Sequence, residues 1–421
     1  MDLAIKFFEE PELKTSDKEK ESDSMFGEKM DLRLPGPVQV PREIQRTILR
    51  SFDHPMMDYR NEEFQEVLKE ASEASKMVFQ TENDVYLLCG SGASALETAM
   101  VNLVGPADTI VICVIGYFGE YLVGIAEHIG AKVIRIDAPW GQIIDPEDVR
   151  RTLDANPEVK AVFVTHCETS TGAINDIQSI GAIVKNYDAV LVVDAVSSIV
   201  GTPLYMDDWH LDVVATGGQK ALMLPPGIAL VTVSEKAWRV MDQHQCPSFY
   251  LDLKKYRDLL PGGHTPYTPN IALVNGLLQS CKMIAEEGIE NAYKRHACLR
   301  EMTRAGVRAL GLPLLVEDHA ASPTLTSVIF DRYDANEFRK MLRQTFHVAV
   351  GGGLGQLKGK LLRLGHMGYT DTADVLKMLS TLELGLHVIG YDVKFGTAVE
   401  AAQRYWADHH YEKVENPFAQ V

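Results

Sequence analysis

The sequence predicts an α/β fold: a mostly parallel sheet covered by helices on both faces, followed by a second, smaller α/β unit. Three observations carry this expectation. Short apolar runs alternate with helix-period patterns from residue 85 to residue 193, the rhythm of strands joined by helical crossovers. The runs are apolar throughout rather than at every second residue, as in strands buried on both faces. The rhythm changes after Ser234, and a chain of 421 residues has length for a second unit.

Residues 9–30 are polar and charged, and 1–30 reads as a leader, either mobile or folded against a partner, the mobile form being the simpler expectation. Leu34-Pro35-Gly36-Pro37 marks the start of ordered structure, because two prolines and a glycine continue neither a helix nor a central strand. A helix is expected over 64–80, where Phe64, Val67, Leu68, Ala71, Ala74 and Val78 fall near the 3.6-residue period. Strands are expected at 85–88, 109–115, 132–136, 161–165, 190–193, 212–215 and 228–233. Helices at 93–103, 120–128, 146–153 and 177–185 lie between them. No crossover helix fits between the last two strands, so 228–233 is expected to be an antiparallel edge.

Residues 245–268, rich in Pro, Gly, His and Tyr, read as a long surface excursion. A helical stretch over 271–310 then leads into the second unit, with strands at 326–330 and 361–365 and a helix at 372–382. The expected organisation is a leader (1–30), a large domain (31–285) and a small C-terminal domain (286–421).

Lys and Arg number 41 against 58 Asp and Glu, a formal charge of −17. Such a surface repels phosphate backbones and anionic lipid, which argues against nucleic acid and membrane as partners. No apolar run approaches the ~20 residues of a membrane helix, and the first residues lack the order of a signal peptide. Six scattered cysteines without a Cys-x-x-Cys pair point to a reducing, cytoplasmic compartment.

The chemistry begins where two apolar runs end. Leu191-Val192-Val193 delivers Asp194, and 211–215 leads through Thr216-Gly217-Gly218-Gln219 to Lys220. In an open α/β sheet both would reach the carboxyl edge, where ligands bind. A lysine and a carboxylate converging there are what pyridoxal 5'-phosphate (PLP) needs: an amine for a Schiff base and an anion for the pyridinium nitrogen. A lysine at its ordinary pKa of about 10.4 is protonated and does not attack an aldehyde, so burial beside a cationic ring suits the task. Asp194 would otherwise be a buried charge without a partner. Taken singly, each also reads as a surface lysine or a capping carboxylate; their joint placement favours the cofactor site.

Other segments reach the same edge with two readings each. Gly90-Ser91-Gly92-Ala93-Ser94 is a plain strand–helix turn or a phosphate cradle, since a glycine turn opening a helix exposes backbone N–H groups and the positive dipole end. It is neither a Walker A loop nor G-x-G-x-x-G, and no G-x-S-x-G elbow is present. Phe118 packs at a junction or stacks on a cofactor ring. His166-Cys167-Glu168-Thr169-Ser170-Thr171-Gly172 offers hydroxyls and a carboxylate to a ring substituent, or ordinary turn residues; no second His/Cys pair stands at metal-ligand spacing. Arg363, in an apolar run, is either one half of a structural salt bridge or a fork for a substrate carboxylate. His366 reads as a core or interface histidine.

Together these residues resemble the class V group of fold-type I PLP-dependent aminotransferases, in the alanine–glyoxylate / serine–pyruvate branch. The resemblance runs from Leu34 to the C-terminus in the family's order. It rests on Leu34-Pro35-Gly36-Pro37, Gly90-Ser91-Gly92-Ala93, Phe118-Gly119, Glu168-Thr169-Ser170-Thr171-Gly172, Val193-Asp194-Ala195-Val196-Ser197-Ser198, Gly218-Gln219-Lys220-Ala221, Pro225-Pro226-Gly227 and Arg363-Leu364-Gly365-His366-Met367-Gly368.

The resemblance implies a mostly parallel seven-stranded sheet in the large domain. It makes Lys220 the Schiff-base lysine and Asp194 the partner of the pyridine nitrogen. Ser91, Gly92, Ala93 and Gln219 would cradle the phosphate, Phe118 stack on the ring, and Thr169 bond near its phenolic oxygen. Arg363 would take the substrate carboxylate. It further implies a homodimer with sites at the interface, Thr268 reaching the partner's phosphate.

Phe118 stands where the animal enzymes carry tryptophan, and the roles of His54 to Arg60, beside the substrate region, are not assigned by the resemblance. The second half is also similar to pyridoxamine–pyruvate aminotransferase; the retained Gly90-Ser91-Gly92 favours PLP as a bound cofactor. The expected reaction moves an amino group from alanine or serine to glyoxylate or pyruvate. (S)-Ureidoglycine or aspartate as donor is the near alternative. A cysteine desulfurase would need a mobile cysteine near Arg363, and residues 340–370 contain none. A binding protein without turnover would have no use for Asp194, Lys220 and Arg363 together.

Overall fold

The computed structural model describes residues 30–52 and 57–410, the last without its side chain. All of the expected leader except Met30 lies outside the described residues, as do His54, Pro55 and Met56.

Among the described residues thirteen strands form two sheets and one short ribbon. In chain order they are β1 (Asp31–Arg33), β2 (Val85–Gly90), β3 (Thr109–Val114), β4 (Lys132–Asp137), β5 (Ala161–Thr165), β6 (Cys167–Glu168) and β7 (Ala173–Ile174). There follow β8 (Val190–Asp194), β9 (Val213–Gly217), β10 (Gly227–Val233), β11 (Leu325–Ile329), β12 (Val348–Gly352) and β13 (Leu361–Gly365). The large sheet has the order β2-β10-β9-β8-β5-β3-β4. Six of its strands are parallel, and β10 runs antiparallel to both β9 and β2.

Successive residues of β8 show why these runs carry no polar alternation. Leu191 and Val193 point into one hydrophobic core, Val190 and Val192 into the other, and all four are at most 1% exposed. The helices between strands cover these two faces. Their starts follow local chemistry: Asp145 caps Pro146–Ala155 through Glu147 N–H, and Asp176 caps Ile177–Val184 through Ser179 N–H.

Three expectations are corrected. The strand expected at 228–233 is antiparallel but interior: β2 returns to pair with its outer side, Gly227 to Thr232 opposite Gly90 to Val85. The helical stretch over 271–310 is two helices, Ile271–Glu287 and Ile289–Ala309. Gly288, at φ 81°, ends one and opens the other. Residues 245–268 are not wholly irregular, since they contain the helix Leu253–Leu259, capped by Asp252.

The second sheet has the order β1-β12-β13-β11 and packs on helices Ile289–Ala309, Ala335–Phe346, Thr372–Val388 and Thr397–His410 around a core of its own. Its first strand comes from the far end of the chain: Asp31, Leu32 and Arg33 pair in parallel with Val348, Ala349 and Val350. Buried charges fasten it there. Arg33 meets Asp31 at 2.6 Å and Asp374 at 2.7 Å, and Lys377 meets Asp31 at 2.8 Å. None of the six cysteines forms a disulfide. Among the described residues no helix is long and apolar enough to cross a membrane.

Candidate active site

The parallel strands of the large sheet discharge their following residues at one edge, and a cavity of about 350 Å³ lies there. Eight of the ten residues singled out from the sequence line it: Ser91, Gly92, Ala93, Phe118, Thr169, Asp194, Gln219 and Lys220. They arrive from several strand ends. β2 leads to Ser91, β3 to Phe118, β5 and β6 to Thr169, β8 ends on Asp194, and β9 turns into Gln219 and Lys220.

Asp194 is 4% exposed, and its carboxylate accepts from the N–H of Val196 at 2.9 Å. Burial pushes its pKa up to about 7, with Val196 N–H and Lys220 opposing and the Glu168 carboxylate adding to the rise. Lys220 is buried too. Burial pulls its amine down to about 8, and the Arg363 guanidinium adds to the fall. Its Nζ donates to Pro35 O at 2.5 Å. That carbonyl belongs to the segment between β1 and helix Arg42–Arg50, which crosses over the lysine. Gly36 sits against it at φ 98°, where a Cβ would lie 2.3–2.8 Å from the lysine side chain.

Helix Gly92–Leu103 opens onto the cavity. Its N-cap, Ser91, makes no side-chain capping bond, so the hydroxyl stays uncommitted. Ser94 and Ala95 N–H bond back to Ser91 O, while Gly92 and Ala93 hold the first two N–H groups, which have no intrahelical acceptor. Gln219 Oε1 is buried without a partner beside this helix start. A Cβ on Gly217 would lie 2.7 Å from that oxygen and 2.9 Å from Gly92 N.

Thr169 faces the cavity with its hydroxyl in contact with the Ser197 hydroxyl, and its carbonyl accepts from Arg363 Nη1 at 2.9 Å. Arg363 Nε donates to Gly352 O at 2.7 Å. Its pKa falls to about 10, through burial first and Arg339 second. Among the described residues no carboxylate lies within ion-pair distance of Arg363, so the salt-bridge alternative has no acid to complete it. Arg363 stands behind Thr169 rather than among the residues lining the cavity. Thr268 is not brought to this cavity; it is exposed, its carbonyl 3.5 Å from Cys89 Sγ.

Sequence reasoning missed Gly36, Pro37, Leu96, Tyr117, Tyr121, Val196 and Ser197 as lining residues. Val196 and Ser197 follow Asp194 directly, and that adjacency was the available signal. Gly36 and Pro37 stood out as part of the Leu34–Pro37 motif but not as lining residues, since they follow β1, which pairs in the second sheet.

The sequence matches the family described as aminotransferase class-V over residues 37–375. It is 40% identical over 375 residues to an uncharacterized aminotransferase of Methanocaldococcus jannaschii, covering 88% of this chain and 96% of that one. At 33% identity it is similar to the L-aspartate–glyoxylate aminotransferase of Paracoccus denitrificans (89% and 95% covered) and to the serine–glyoxylate aminotransferase of Arabidopsis thaliana (92% and 98% covered). Among solved structures, pyridoxamine–pyruvate aminotransferase from Mesorhizobium loti superposes with a TM-score of 0.86 at 30% identity, over 90% of this chain and 97% of that one. With its seven-stranded, mostly parallel sheet, the chain belongs to the class V aminotransferases of fold type I.

Proposed function

We propose that this chain transfers the amino group of a small L-amino acid, alanine or serine, to glyoxylate or pyruvate, with PLP bound in the cavity described above. The observation that carries the reading is the convergence of Lys220 and Asp194, both buried, in one cavity opened by the start of helix Gly92–Leu103. The residues fit the cofactor: among the described residues no cation lies within ion-pair distance of Asp194, and the Ser91 hydroxyl, two helix N–H groups and the Gln219 amide N–H would form a cradle for a phosphate. Bound PLP supplies an aldehyde for an amine and a ring that accepts electrons when an amino acid Cα–H bond breaks.

The chain's own residues do the rest. With the cofactor bound, Asp194 would hold the proton on the ring nitrogen. Lys220 Nζ, its pKa lowered by burial, would take the proton from the substrate Cα and return it two atoms along, on the far side of the amino nitrogen. Phe118 offers a flat face to the ring, and Thr169 and Ser197 offer hydroxyls to its edge. The Nη1–Nη2 edge of Arg363 grips the substrate carboxylate, fixing the Cα–H bond relative to Lys220.

Two features favour a small donor. A cavity of about 350 Å³ that also holds the cofactor leaves room for a short side chain. Lys220 is the one cation among the described residues lining it, so a second carboxylate, as on aspartate, finds no partner there. Thr268, exposed on its loop, is free to serve a second copy's cradle in a homodimer.

The visible spectrum of the purified protein tests this reading, taken before and after L-alanine, L-serine, L-aspartate and ureidoglycine. The expected result is a yellow band bleached by alanine or serine and restored by glyoxylate or pyruvate. A band that only aspartate or ureidoglycine bleaches replaces the donor; a protein that PLP does not colour refutes the site. The Lys220→Ala protein should bind PLP without turnover, and retained turnover would overturn the lysine's role.

A further inference from the structure

We infer that Glu168 is a positioning residue that sets the ring-stacking Phe118 and the Arg363 anchor from one buried carboxylate. The inference rests on the reading of the cavity as a PLP site.

Glu168 is completely buried and does not line the cavity. All its hydrogen-bonding capacity is spent between two cavity walls. Oε2 accepts from the N–H of Phe118 at 3.0 Å and of Gly119 at 3.1 Å. Oε1 accepts from the N–H of Ser170 at 3.0 Å and from its hydroxyl at 2.6 Å. The Ser170 hydroxyl in turn accepts from Tyr117 N–H at 2.9 Å. The first three N–H groups of helix Tyr117–Ile129 therefore end on Glu168 and Ser170. A residue from another strand caps the helix because its own N-cap, Gly116, has no side chain. Space explains that glycine: a Cβ there would lie 2.4–2.5 Å from Glu168 and 2.5 Å from Ser170 Oγ.

Every hydrogen-bond partner of the carboxylate is a donor, an arrangement that suits the ionised form. The helix dipole favours the same charge. Burial still pushes the pKa up, with the four donors holding it back.

The consequence is geometric. On one side the carboxylate fixes the backbone of Phe118. On the other it fixes the turn that holds Thr169, whose carbonyl receives Arg363 Nη1 and whose hydroxyl meets Ser197. Ring-stacking surface, ring-edge hydroxyl and substrate fork thus share one reference point. Replacing one oxygen by an NH₂ group sets a donor against donors, and both walls are released together.

The test compares Glu168→Gln with wild type in three measurements. In the unloaded protein, amide exchange at 117–119 should accelerate at least about tenfold. In the loaded protein the visible circular dichroism of bound PLP should change amplitude. The kcat/KM for the amino donor, per PLP bound, should fall at least about tenfold with KM carrying part of the loss. Ser170→Ala, which removes one leg and keeps the charge, should change the same three quantities by a smaller factor, and it serves if Glu168→Gln does not fold. Wild-type exchange, dichroism and kcat/KM in these variants overturn the inference, as does a fall in melting temperature with dichroism and kcat/KM intact. A wild-type protein that binds no PLP overturns the functional reading instead.

Discussion

Arg363→Lys isolates what a fork does that a point charge does not. In the structure Nε and Nη1 are committed to Gly352 O and Thr169 O, at 2.7 and 2.9 Å, which aims the remaining Nη edge in one direction. Lysine keeps the positive charge but has one nitrogen, which cannot serve both carbonyls and a carboxylate in that geometry. At least one charge-assisted hydrogen bond to substrate is lost, about 1.5–3 kcal/mol. That energy converts to a roughly 10- to 150-fold weaker grip. The loss should appear in KM for the amino acid and for the keto acid alike, with kcat falling less, because both substrates present the same carboxylate to the same residue. Steady-state kinetics with each substrate varied in turn reads it. Single-turnover reaction with an amine that has no α-carboxylate supplies the control and should be unchanged. If KM for both acids stays within about twofold of wild type, or if the carboxylate-free amine suffers equally, Arg363 does not hold the substrate.

Two further outcomes follow from buried groups elsewhere. His166, His296 and His366 are fully buried, and burial draws each pKa down to about 3 from an ordinary value near 6.5. The unfolded chain then binds more protons than the folded one between those values, so stability is intact above pH 6.5 and declines toward pH 3. At pH 5 the loss is about 2 kcal/mol per histidine, and the raised Asp194 opposes it by a similar amount once. Urea titrations of the unloaded protein at pH 7 and pH 5 should differ by about 3–4 kcal/mol, and equal stabilities would contradict the neutral buried rings. Gly181→Ala should be strongly destabilising without touching the cofactor's spectrum. Its Cβ would fall 1.9 Å from the Trp209 carbonyl, and relieving that contact costs at least about 1–3 kcal/mol; an unchanged melting temperature would refute the packing.

The elements that sequence made visible are those whose reasons are local. β8 announces itself by five buried residues ending in a carboxylate, and Asp194 and Lys220 are legible because strand ends deliver them to one edge. Gly288 broke an expected long helix because apolar periodicity on its two sides hides a glycine that the backbone uses at positive φ. β12 escaped notice since two of its five residues are glycines, which carry no apolar pattern. The place of β10 depends on β2, which lies well over a hundred residues earlier and which no windowed pattern connects to it. Arg363 had two equal readings until its surroundings were visible: a salt bridge needs an acid, and none of the described residues supplies one. Glu168 was legible as part of a motif but not as a brace, because its four donors come from two segments about 50 residues apart.

The pairing of β1 with β12 has a consequence for how the protein is made. Asp31 to Arg33 leave the ribosome about 300 residues ahead of their partners, Val348 to Val350. At ordinary elongation rates that interval is on the order of 15–60 s. Until then the carbonyl of Pro35 has no sheet to hang from, and Lys220 no cover. The large sheet completes its strands long before, with the cradle around Ser91 formed and the lysine open to solvent. Nascent chains therefore pass through a stage in which a reactive amine is exposed in a half-built pocket, and chains truncated before β12 stay there. Shielding of the lysine is thus coupled to the arrival of β12: the segment that covers it is translated about 300 residues before the strand that fixes it.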